Sequence, residues 1–288
     1  MTHIVVGCVA DNSQKYLDQA LRLLQSWRWF AGKLANFDFH VCVVDDLPAT
    51  YREKYESYGA QVHIVSRFSD HHPQSNKLRF LELPLLHGAS RVILLDCDTV
   101  VVQEPLGLIC DADFAAKIAD FPTVTSDIFQ SLFSVFDLLF PEESETCTVH
   151  GEQTIPYFNA GVLSFSQKAM HTLVPEWISI NRDLLEHHLD IFKSRSNFCE
   201  QASLSLALAK CGTSIQTLSN RLNFPGHCHH EPLTSDLGRT DPVIIHYHWL
   251  VDEDGFLQNS PYPKVNKRIE LFNARLKSNK DNVLKAGF

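Results

Sequence analysis

No stretch of this 288-residue chain strings together about 18 apolar residues, so a membrane-spanning helix is not expected. The eight cysteines (Cys8, Cys42, Cys97, Cys110, Cys147, Cys199, Cys211 and Cys228) contain no C-x-x-C pair, the usual spacing of a structural zinc site. Several sit inside apolar runs, where they behave as small hydrophobes, and a reduced, cytoplasmic setting is the default. Positive charge is scarce: 25 Lys and Arg against 34 Asp and Glu leave a net charge of −9, which argues against a nucleic-acid partner. Internal repeats and low-complexity linkers are also missing. Residues from Ile4 already read as a strand, so a leader segment is not expected.

What is there is a globular composition, 44% hydrophobic and 20% charged, in a length that suits one large α/β domain. His3 to Ala10 reads as a buried strand that breaks at Asp11-Asn12-Ser13. Tyr16, Leu17, Ala20, Leu21, Leu23, Leu24 and Trp27 then recur at helical spacing. Strands follow at Phe39–Val44 and Gln61–Val65, with a polar helix over Tyr51–Tyr58 between them that Gly59 ends. Asn76 to Leu86 predicts a further helix before an apolar run at Val92–Leu95. This β-α-β-α-β-α-β order implies a parallel, doubly wound sheet whose ligands bind beyond the carboxyl ends of the strands.

The second half is less regular. Phe114–Ala119 predicts a strand ending at Asp120, and Ile128 to Phe140 an aromatic helix or an acceptor wall. Pro141 to Val149 predicts an exposed loop, and Phe158–Phe165 a strand whose small residues allow close backbone approach. Met170–Phe192 and Glu200–Lys210 predict helices, and Pro242–Trp249 a last strand ending in two histidines. A single domain is expected over 1–288: a nucleotide-binding half at 1–102, a donor-sugar and acceptor half at 103–250, and a tail at 251–288 that docks on it. The tail's basic and apolar residues, from Lys264 to Phe288, also suit an anionic membrane surface, with docking the preferred reading.

Chemistry concentrates at Arg91 to Val102. Val92–Leu95 ends at Asp96 and Asp98, with Cys97 between them, and apolar character resumes at Val100. Two acids at the tip of a buried strand are costly unless a cation meets them. A divalent metal carrying phosphate oxygens is the natural partner, Mn²⁺ or Mg²⁺ by ligand hardness. The plain alternative is a polar strand end that caps a neighbouring helix.

Five pieces in order resemble the family-eight glycosyltransferases, the glycogenin-like and lipopolysaccharide galactosyltransferase-like enzymes with a GT-A fold. They are Ala10-Asp11-Asn12, Asn76-Lys77 ahead of Leu94-Leu-Asp-Cys-Asp-Thr99, Phe158-Asn-Ala-Gly-Val162, Glu200-Gln201, and Ile245-His-Tyr-His-Trp249. The resemblance spans roughly residues 3 to 250. It implies a Rossmann-like α/β fold with a mostly parallel central sheet and a metal-dependent transfer from a nucleotide-sugar, a UDP-sugar by analogy, with retention. Asp96 and Asp98 would hold the ion and His246 would close its site. Ala10, Asp11 and Asn12 would lie at the nucleoside, Lys77 and Cys97 at the donor diphosphate or sugar, and Asp120 at a sugar hydroxyl. Asn159, Ala160 and Gly161 would line the sugar pocket, with Glu200 and Gln201 near the anomeric carbon. The acceptor, a carbohydrate, lipid or protein, is left open.

Two departures stand out. The family's Asp-Gln pair is Glu200-Gln201 here, which moves one carboxylate out by a methylene. The family's His-Phe-x-Gly-x-x-Lys-Pro-Trp ending shrinks to His246-Tyr-His-Trp249, so its phosphate-binding lysine is missing and Lys264 or Lys267 is left to take its place. His248 is an alternative ligand to His246, because residues two apart share a strand face. Asp45-Asp46 reads equally as a ribose contact or a solvated strand end. His227-Cys-His-His230 with Glu231 looks like a zinc cluster, but consecutive side chains cannot converge on one ion, and zinc is disfavoured. Competing functions are a sugar-phosphate nucleotidyltransferase, against which Gly7-Cys-Val-Ala-Asp-Asn12 offers no glycine-rich basic loop, and a non-catalytic nucleotide- or carbohydrate-binding protein.

Overall fold

The branched apolar runs pair side by side. In the computed structural model, which describes residues 3–228 and 237–285, β1 (Ile4–Ala10), β2 (Asp38–Val44), β3 (Ala60–Val65) and β4 (Arg91–Leu95) are parallel. After β4 come β5 (Thr99–Val101), β6 (Phe114–Ile118), a small hairpin of β7 (Glu145–Thr146) and β8 (Gln153–Thr154), and β9 (Phe158–Ser166). The last strands are β10 (Ile215–Thr217), β11 (Phe224–Pro225) and β12 (Ile244–His246). Seven of these form one sheet in the order β10-β6-β9-β4-β1-β2-β3, in which only β9 runs against its neighbours. The expected mostly parallel α/β sheet is the observed one.

The helices are α1 (Gln14–Phe30), α2 (Ala49–Ser57), α3 (Leu78–Leu81), α4 (Ser126–Val135), α5 (Gln167–His187), α6 (Cys199–Cys211) and α7 (Pro263–Lys285). One sheet face buries Leu17, Leu24 and Trp27 of α1, and the other receives α5 and α6 with Trp177. Deleting a ring as enclosed as Trp27 costs about 3–5 kcal/mol. Gly7 makes room for this layering: a Cβ there would lie 2.3 Å from the Phe80 ring of α3.

Four segments differ from the sequence-based expectation. The helix expected over Asn76–Leu86 is only α3, flanked by 3-10 turns at Pro73–Lys77 and Pro84–Gly88. Pro84 lacks a donor and keeps Leu83 extended, so no continuous helix can cross it. The helix expected to reach Phe192 stops at His187, and a 3-10 stretch, Leu189–Phe198, turns sharply at Lys193 with φ 53°. The loop expected at Pro141–Val149 carries β7 and buries Cys147 and Val149.

The largest difference is the last strand. Ordered pairing covers only Ile244–His246, and it lies in a separate small sheet, β11-β12-β5. β12 runs antiparallel to β5 with His246 opposite Thr99, which carries the C-terminal histidines back to the end of β4. His248 has left the strand, with φ 54°. The tail helix α7 seals this small sheet through Val265, Ile269 and Phe272, with the Phe272 ring 6.1 Å from Trp29 of α1.

Candidate active site

Strand ends converge where the sheet changes direction. The Asp96 N–H donates to Gly161 O at 2.8 Å, so the end of β4 is tied to the small-residue segment of β9. The β6–β9 pairing slips between Ala116 and Lys117, which leaves Ala160–Val162 without β6 partners, while Val162 pairs with Leu95 of β4. Irregularities of this kind re-aim side chains beside functional sites. A cleft of about 570 Å³ results, floored by Asp96, Cys97 and Asp98 and walled by Asp11, Tyr16, Lys77, Asp120, Phe121, Asn159, Gly161, Phe198, Glu200, Gln201, His227, His246 and His248. Of the expected donor contacts, buried Ala10 and Ala160 and exposed Asn12 are not part of the lining.

Asp96 and Asp98 face different partners. Lys77 Nζ lies 2.7 Å from Asp96 Oδ1 and 3.3 Å from Glu200 Oε1, and donates to Ala160 O at 3.2 Å. Burial works against the Lys77 charge, but Asp96 and Glu200 outweigh it and raise its pKa. Burial dominates at Glu200 and raises its carboxyl above the usual range despite Lys77. Its side chain is 2% exposed, and Oε2 finds no hydrogen-bond partner among the described residues.

Asp98 meets imidazoles instead. Its Oδ1 lies 3.1 Å from His246 Nε2 and its Oδ2 lies 3.5 Å from His248 Nδ1, with the two rings stacked at 3.9 Å. Burial opposes the Asp98 charge, but the two histidines, His246 foremost, hold its pKa well below the ordinary value. Burial likewise opposes the His246 cation and Asp98 overcomes it, raising that pKa, whereas His248 is lowered by burial and by the His246 charge. His227 stands edge-on to His248 at 3.9 Å, and burial followed by the charges of His248 and His246 pushes it down to about 3.

The three donor atoms of Asp98, His246 and His248 lie within 4.8 Å of one another, close enough to share one ion. One carboxylate and two imidazoles make a mixed oxygen–nitrogen set, which a first-row transition ion accepts more readily than Mg²⁺ does. Gly161 is the seat of this group: a Cβ there would sit 2.5 Å from the His246 ring. His246 and His248, expected as alternatives, therefore reach Asp98 together. Asp96, expected beside Asp98 on the ion, is ion-paired to Lys77. His229, His230 and Glu231 of the suspected zinc cluster lie outside the described residues.

Several participants carried little sequence signal. Lys117 of β6 is wholly buried and ion-paired to Asp120, which also accepts from Thr148 Oγ1 at 2.8 Å and Asn159 Nδ2 at 3.1 Å. A lysine inside the apolar run Phe114–Ile118, three residues before an acid, was the available clue. Asn223 offered none. Arg67 bridges Asp11 at 3.3 Å and Asp45 at 2.8 Å, so Asp45 is neither free nor simply solvated. Of the tail lysines, Lys264 donates to Arg239 O and Lys267 is exposed; neither lines the cleft, where Lys77 is the one lysine or arginine among the described residues. Trp249, next to His248, is 63% exposed.

A doubly wound sheet with one reversed strand, and an acid pair at its switch point, defines the GT-A class of α/β transferases. The chain belongs to the family described as the Rhodobacterales glycosyltransferase domain, whose profile matches residues 8–212. The fold is that of the galactosyltransferase LgtC. The LgtC complex with donor and acceptor sugar analogs shares 15% identity with the chain, covers 94% of it and 95% of LgtC, and gives a TM-score of 0.55. An active-site mutant of LgtC gives 17%, 93%, 94% and 0.58 for the same measures. Mouse xyloside xylosyltransferase 1 is 14% identical over 85% of this chain and 98% of that one, with a TM-score of 0.52. No protein of curated function is similar enough in sequence to match. Among the described residues no helix is long and apolar enough to cross a membrane.

Proposed function

We propose that this glycosyltransferase moves a sugar from a UDP-sugar to an acceptor hydroxyl, with retention, using Mn²⁺ or Mg²⁺ in a reduced, cytoplasmic setting. The observation that carries this reading is the convergence of Asp98, His246 and His248 within 4.8 Å at the floor of the cleft. When bound there, a divalent cation would neutralise charge on the leaving diphosphate. Lys77, which lines the cleft, supplies positive charge to the same end of the donor. Glu200 is suited to the sugar side, because it lines the cleft and its carboxyl can face positive charge developing at the anomeric carbon. Asp120, locked by Lys117 and Thr148, offers a second fixed acceptor for a sugar hydroxyl. The acceptor enters past exposed Trp249, whose flat apolar face suits a pyranose ring.

Calorimetric titration of UDP, GDP, ADP and CDP, first with Mn²⁺ and then with EDTA, tests the donor site. UDP is expected to bind most tightly and to lose that binding in EDTA. Binding indifferent to the metal would remove the role given to Asp98 and its histidines. A product of inverted anomeric configuration by NMR would overturn retention.

A further inference from the structure

A chain of side-chain amides joins the sugar-facing acid to the histidine under the metal site, and its polarity can be read from its ends. Lys117 can only donate, so Asp120 accepts from it. Asp120 Oδ2 therefore receives Asn159 Nδ2 at 3.1 Å. The Oδ1 of Asn159 is fixed independently, because the backbone N–H of Gly161 donates to it at 2.9 Å. That same Oδ1 accepts Asn223 Nδ2 at 3.0 Å, which leaves Asn223 Oδ1 facing His246 Nδ1 at 3.2 Å. An amide oxygen cannot donate, so His246 Nδ1 must carry a proton. Asn159 is anchored by two groups of unambiguous sign, so neither amide can be turned over without breaking a bond.

We propose that Asn223 is a positioning residue that holds His246 as the Nδ1–H form and so reserves Nε2, 3.1 Å from Asp98, as its metal-ligating atom. The inference rests on the metal-dependent reading above. Partners that fix the tautomer and ring direction of a ligating histidine are worth about ten- to a hundredfold in metal affinity. Asn223 reaches this role from the turn before β11, and β11 pairs with β12, so the small sheet delivers ligand and orienter together. Gly161 completes the arrangement, since a Cβ there would lie 2.6 Å from His246 Nδ1 and 3.0 Å from Asn159 Oδ1.

The test reads the proton directly. Long-range ¹H–¹⁵N correlation spectra of the full chain loaded with diamagnetic Zn²⁺ report which nitrogen of His246 keeps its proton, with His246→Gln for assignment. The wild type is expected to show Nδ1–H. A proton on Nε2 would overturn the proposal, and this measurement needs no variant at position 223. Mn²⁺ affinity, followed by the electron paramagnetic resonance of free Mn²⁺, is expected to fall about ten- to a hundredfold in Asn223→Leu. Asn223→Asp, which keeps an acceptor for Nδ1–H but gives up the donor to Asn159 Oδ1, is expected to lose less than Asn223→Leu. Unchanged affinity in folded Asn223→Leu, or an equal loss in Asn223→Asp, would remove the role of the amide oxygen. If the wild type bound no divalent ion, the metal-dependent reading would fail; an ion bound with the proton on Nε2 would overturn the tautomer alone.

Discussion

Asp96 and Asp98 leave the end of one strand with a single residue between them, yet they enter opposite electrostatic worlds. Asp96 is held by an ammonium that also serves Glu200, so three charges form a closed, mostly buried cluster. Asp98 is held by two imidazoles, which can give up protons and turn lone pairs toward an ion. The first cluster neutralises its charges internally, whereas the second presents a carboxylate and two imidazoles that can share an ion. The difference teaches that the partners of an Asp-x-Asp pair are not set by its spacing. Its roles divide according to what other elements bring to each carboxylate.

The sharpest way to break the comparison is Asp98→Ala. Since even outer partners of a metal ligand contribute about ten- to a hundredfold, loss of Asp98 is expected to cost more than about a hundredfold in Mn²⁺ affinity and in transfer. Titration calorimetry and turnover of a UDP-sugar check it; wild-type turnover would show that the imidazole cluster is not the metal site. Lys77→Met probes the other cluster. It strands Glu200 and Asp96 without their cation and is expected to destabilise the fold by about 3 kcal/mol, the lower range for breaking a buried ion pair. Urea unfolding measures this, and Lys77→Met with Glu200→Gln is expected to recover part of the loss.

A third buried pair separates stability from the cleft. His40 Nδ1 lies 2.8 Å from His63 Nε2 across β2 and β3, and His40 Nε2 has no hydrogen-bond partner among the described residues. Burial, with His63 adding to it, pushes His40 down from 6.5 to about 4. The unfolded chain thus binds this proton more readily, so the stabilisation is complete above pH 6.5 and lost as pH falls toward about 4. The urea midpoint is expected to drop over that window, and to drop less in His40→Val. The smallest effect belongs to Trp249→Ala, where stability should change by less than about 0.5 kcal/mol because the ring is exposed. Acceptor KM is expected to rise severalfold with UDP binding unchanged; an unaltered KM would remove Trp249 from the acceptor path.

Much of this was legible beforehand. Branched apolar runs at Ile4, Phe39, Gln61 and Val92, separated by helical spacing, leave few options beyond a parallel sheet, and each run became a strand. The acids at strand ends were legible for the same reason, since ligands gather there in such sheets. The helix expected at Asn76–Leu86 failed because Pro84 outweighed apolar spacing, and the last strand failed because pairing with the short β5 ends at His246.

The local pattern of residues specified the strands, the helices and the candidate acids, because hydrophobic period and strand ends are properties of neighbours along the chain. Which acid met lysine and which met histidine was decided only when β12 folded back on β5 and Lys77 reached across to Asp96 and Glu200. Those contacts join residues 19 to 148 positions apart, and the free energy of a buried charge depends on what surrounds it in space.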